Sequence, residues 1–206
     1  MPPYDYSNAP QPRGFELIPP GTIVIAVLHI RPGGAGEDGL LTRSKEGDCE
    51  MLSIEYTVVE GPFVRRKIFE NQMINGTTQG QRDMVQEYYG RRQQILESAH
   101  NITKGDKSPQ ALAAYQADLK DFDGLTLMVK VGIEKGKPRK DRPGENYDDK
   151  NIIAAVILPG QKDYRPVEQT PPFNGGGAGG NASPPASSGT SSPSTNPPIE
   201  PPPWAR

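Results

Sequence analysis

The chain has 206 residues, 23 of them Gly and 23 Pro, with 33% hydrophobic residues and a formal net charge of −2. So many turn formers argue that part of the chain does not pack, and so small a charge excludes the global excess of a nonspecific DNA coat. A single cysteine, Cys49, rules out an internal disulfide, two histidines (His29 and His100) disfavour a zinc module, and no apolar run approaches the ~20 residues that span a bilayer.

Met1–Pro20 lacks the charged start and apolar stretch of a signal peptide. Pro19-Pro20-Gly21 then leads into Thr22–Ile30, a β-rich run that reads as the first strand. Arg31–Asp48 carries Pro32, five glycines and mixed charge, and reads as a long loop. Leu52, Ile54, Tyr56 and Val58 alternate with Ser53, Glu55 and Thr57, the period of two of a strand with one buried face. Glu60-Gly61-Pro62 is a turn signal, and Phe63–Glu70 supplies the returning strand of a hairpin, with Arg65, Arg66 and Lys67 at its centre. From Gln79 to Ala99 the apolar positions Met84, Val85, Tyr88, Ile95, Leu96 and Ala99 recur at helical spacing. Ser108-Pro109 starts a second helical stretch through Leu119, with serine as cap and proline at the first helical position. Leu125–Ile133 and Ile152–Leu158 are again β-rich, separated by the charged loop Glu134–Lys150.

Residues 1–170 thus form one domain, and Pro171–Arg206, with ten Pro, six Gly and six Ser, is expected to be a disordered tail. Three strands, a helical insert and two further strands follow the connectivity of a five-stranded OB-fold-like β-barrel. An α+β sheet with helices on one face has the same element order. In the barrel, the binding surface is the face of the second and third strands, with the loops after the first and fourth.

Five bases, Lys135, Lys137, Arg139, Lys140 and Arg142, stand against one acid, Asp141, within eight residues. With Arg65, Arg66 and Lys67 they form two basic segments, far apart in sequence, that the barrel brings to one side. Cations lined along one groove neutralise a phosphate backbone. Phe63 and Tyr147 are the candidate stacking platforms. Tyr56 shares the parity of the buried residues and belongs to the core, and Phe69 is placed with it. Gly34-Ala35-Gly36-Glu37-Asp38-Gly39 fits a dinucleotide fingerprint in letters only, because no helix follows and its two acids repel phosphate. No catalytic constellation and no metal-ligand cluster emerges, so neither an enzyme nor a cofactor is expected.

Asp123-Gly124-Leu125, Val131–Gly136, Tyr147–Asn151 and Val59–Phe69 together resemble a group of phage and prophage proteins similar to single-stranded-DNA-binding proteins of phage replication and recombination. The resemblance covers residues 15–166. It implies a cytoplasmic protein of the bacterial host cell that binds single-stranded DNA without sequence choice, with partners among phage replication or recombination proteins reached through the tail. Known single-strand binders end in acids and an aromatic residue, whereas Ile199–Arg206 holds one acid beside Trp204 and ends in arginine. The alternative is a protein-interaction or virion structural module whose proline-rich tail docks on a partner.

Overall fold

The computed structural model describes residues 16–142 and 144–169. The expected tail, with Trp204, lies outside them. The elements are β1 (Ile23–Ile30), β2 (Leu41–Arg43), β3 (Cys49–Val58), β4 (Lys67–Gly76), α1 (Gln79–Ala99), α2 (Pro109–Ala114), a 3-10 turn (Leu119–Phe122), β5 (Thr126–Glu134) and β6 (Lys150–Val156). They form one six-stranded antiparallel sheet in the order β2-β3-β1-β5-β6, with β4 paired to the other side of β3. No helix among the described residues is long and apolar enough to cross a membrane.

The alternation read from the sequence sets the register of β3. Leu52, Ile54, Tyr56 and Val58 are all buried, facing Leu28, Ile68, Leu127, Val129 and Val131 in the main core. Successive strand residues point to opposite faces, so Ile25 and Met128 lie on the other side of the sheet. There Ile157 and Val167, from the segment after β6, cover them. That segment is fastened by the Tyr164 hydroxyl, which donates to the Ser98 carbonyl, and by Gln169, which bonds both backbone groups of Thr126.

α1 runs over the span that the helical spacing predicts. Thr78 and Gln81 form a capping box at its start, and only its last turn, Ile95–Ala99, is buried against the sheet. α2 starts at the predicted Ser108 cap but ends at Ala114, and the 3-10 turn is a separate element.

Three expectations are corrected. The loop 31–48 contains β2, which pairs Leu41–Arg43 with Glu50–Leu52 and makes six strands instead of five. The returning strand of the hairpin starts at Lys67, not Phe63, and extends to Gly76. Residues 61–66 are a turn in which Arg65 adopts φ 68° and its N–H donates to the Val58 carbonyl. The left-handed conformation takes Arg65 out of any strand, so Arg65 and Arg66 sit in the connection. The sheet, finally, is open: no ladder joins β4 to β6, although the two edges approach each other.

A side chain spans that gap. The Arg91 guanidinium, reaching from α1, donates to Glu70 of β4 at 3.3 Å and to the Ile153 carbonyl of β6 at 2.5 Å. Glu70 also accepts from the Tyr56 hydroxyl at 2.9 Å and from the Gln72 amide at 3.0 Å. Burial, with the Glu70 charge beside it, pushes the Tyr56 phenol well above its ordinary range. The Arg91 and Glu70 side chains are only 16% and 15% exposed, so removing one leaves the other poorly solvated. Arg91→Met is expected to destabilise the domain by about 2–3 kcal/mol, lowering the melting temperature by roughly 5–10 °C in a calorimetric scan.

Candidate nucleic-acid interface

The outward face of β3 and β4 is set by the residues between the buried ones. Across the pair, Thr57 opposes Lys67, Glu55 opposes Phe69 and Ser53 opposes Asn71, and on the other side of β3 His29 of β1 opposes Glu55. Ile68 is buried, so its neighbours Lys67 and Phe69 point outward. Phe69 is 51% exposed, and the Arg31 guanidinium, from the start of the 31–48 loop, lies over its ring at 5.3 Å. Lys67 Nζ is 2.7 Å from Glu55 Oε1.

The aromatic assignments read from the sequence are therefore exchanged in part. Tyr56 is in the core as expected. Phe63 is half-buried and packs against the core, whereas Phe69 is 51% exposed. The signal for Phe69 lay in its neighbour: once Ile68 is taken as the inward residue of β4, position 69 must face the opposite way.

The charged loop forms an extended hairpin over residues 134–142 and 144–150. Pro138 bridges to Asn146, Tyr147 N–H donates to the Lys137 carbonyl at 2.9 Å, and Arg139 N–H to the Glu145 carbonyl at 2.8 Å. Gly136 permits this closure: a Cβ there would stand 1.5 Å from the Tyr147 carbonyl oxygen. Tyr147 is 54% exposed, with the Arg139 guanidinium 5.1 Å from its ring centre.

The cations of this hairpin are largely engaged within it. Lys135 pairs with Asp149 at 2.6 Å, Lys137 with Glu134 at 3.7 Å, and Arg142 with Glu145 at 3.5 Å. Arg139 grips Asp141 with two bonds, at 3.2 and 2.8 Å. Lys140 has no ion pair among the described residues. Hydrogen bonds from Arg139, Lys135 and Lys150 hold the carboxyls of Asp141, Asp149 and Glu134 below the usual carboxylate range.

The two basic segments meet only in part. A cleft of about 1200 Å³ lies between β4 and β6, lined on one side by Arg65, Arg66 and Lys67 and on the other by Glu134, Asp149 and Lys150. Positions 135–142 do not line it. Arg66 is occupied by the Glu16 carbonyl, which accepts from its Nη2. Sequence reasoning missed Arg31, Phe69 and this cleft between two sheet edges.

No family model, curated protein or solved structure matches the chain.

Two outcomes test the hairpin. Gly136→Ala is expected to break it open, seen as loss of amide-exchange protection at Tyr147 and Arg139. The paired carboxyls have lowered pKa values, so the order they support is complete above the ordinary carboxylate range, about 4. It is lost as pH falls through those lowered values. The Tyr147 ring resonances are expected to move to their unstructured positions over that acid range and not on raising the pH from 5 to about 8.

Proposed function

We propose that this protein binds single-stranded DNA on the outward face of β3 and β4, in phage replication or recombination, and does no covalent chemistry. The observation that carries the reading is the exposed Phe69 ring, with the Arg31 guanidinium over it and Lys67 two residues away on the same strand. A ring and a guanidinium plane offer stacking surface to any base, and the cations meet the phosphates. The strand order β4-β3-β1-β5-β6, with α1 between β4 and β5, supports an OB-like arrangement in which β4 and β6 stop short of pairing. In such a fold, β3 and β4 occupy the places of the two face-forming strands. The loop 31–48 and the hairpin 134–150 are its two binding loops. Arg65 and Lys140, which have no ion pair among the described residues, extend the phosphate track, with Lys135, Lys137 and Arg139 exchanging their carboxylate partners for phosphate on binding. Tyr147 is the second stacking surface.

A second reading rests on the same pairing of charges. The hairpin cations are matched by acids, and the cleft carries as many acidic as basic residues, as in a protein-interaction or virion structural module. A mobility shift with a mixed-sequence single strand separates the two. Binding at low salt, with duplex of the same sequence much weaker, supports the first; no shift at low salt leaves the second. Phe69→Ala is expected to weaken binding about 5- to 100-fold with the salt slope unchanged, because stacking releases no counterions. Replacing Lys137, Arg139 and Lys140 together by Ala is expected to flatten the log–log salt slope by about two.

A further inference from the structure

The single-strand face carries a carboxylate at its centre. Glu55 is the direct cross-strand neighbour of both Phe69 and His29, so its strand lies about 4.8 Å from a ring-bearing residue on either side. A surface built only to attract phosphate has no use for an acid there, since it repels the backbone. We propose that Glu55 reads the edge of the base stacked on Phe69 and selects bases that present an amino group, cytosine above thymine. The inference rests on the single-strand reading and adds a base preference to it.

The hydrogen-bond inventory of Glu55 leaves room for this role. Its Oε1 accepts from Lys67 Nζ at 2.7 Å and from the Thr57 hydroxyl at 3.4 Å. Its Oε2 has no hydrogen bond among the described residues. An ionised carboxylate only accepts, and with the side chain 15% exposed that oxygen is open to a donor from solvent or from a base. Cytosine offers one at its 4-amino group, which is the usual partner of Glu and Asp in base reading. Thymine puts a carbonyl oxygen at the same position, and two acceptors then face each other. Lys67 fits the scheme by neutralising the carboxylate toward the neighbouring phosphates while leaving Oε2 free for the base edge. A base stacked over the Phe69 and Arg31 planes therefore lies beside an acceptor and not beside a second cation.

The test compares oligo-dC and oligo-dT of equal length, at neutral pH or slightly above, against the full-length protein and Glu55→Gln. The wild type is expected to bind oligo-dC about five- to tenfold more tightly, the lower part of the range for one base-edge contact. In Glu55→Gln the side-chain amide both donates and accepts, so the ratio should collapse toward one, mainly through tighter oligo-dT binding. A role confined to holding Lys67 makes the substitution shift both oligonucleotides by the same factor, and an unchanged ratio overturns the proposal. Equal affinities in the wild type overturn it without the variant and leave the single-strand reading standing. Failure of the wild type to bind either oligonucleotide removes both.

Discussion

The architecture depends on how one guanidinium ties two sheet edges together. Backbone donors and acceptors on an edge strand need partners, and β4 and β6 end the sheet facing each other without a ladder. Arg91 reaches from α1 to a carboxylate on one edge and a carbonyl on the other. It thereby anchors a long helix of which only the last turn is buried. It also explains the polar cluster beneath: Glu70 balances Arg91, and Tyr56 and Gln72 take up the remaining capacity of its carboxylate. A wall made of side chains in place of a ladder leaves a cleft, and the turn 61–66 and the base of the 134–150 hairpin become its rims.

The two halves of the outward face are used differently. On β1 and β5 the outward residues Ile25 and Met128 are covered by Ile157 and Val167, which completes a second small core. On β3 and β4 the same face stays open and carries polar residues around one ring. The chain after β6 thereby determines which half of that face is left uncovered.

Much of the fold was legible because burial imposes strong patterns. Residues 52–58 alternate with no interruption, and a one-residue slip would have turned Tyr56 and its neighbours outward. The ends of α1 and the start of α2 were marked by Gln79, Ala99 and Ser108-Pro109. β2 was not legible: three residues in a glycine-rich stretch carry no period, and only their pairing with β3 makes them a strand. β4 was displaced because Phe63, Val64 and Phe69 have equal strand propensity, whereas the return of the Arg65 N–H to Val58 decides where the turn ends. The site was less legible still. The acids that pair with the basic hairpin were visible as letters, but Lys135 and Asp149 are fourteen positions apart and meet only after the hairpin closes.

The backbone at Arg65 has a consequence for how this sequence can drift. Every L-residue with a side chain pays for φ 68°, a β-branched one most of all, while Gly and Asn accept it readily. Selection for a stable hairpin alone would push the codon toward glycine. Arginine at that position carries local strain and places a positive charge on the rim of the cleft. Replacing it by Gly or Asn would relax the backbone and remove that charge in one step, so strain and charge at residue 65 are tied together.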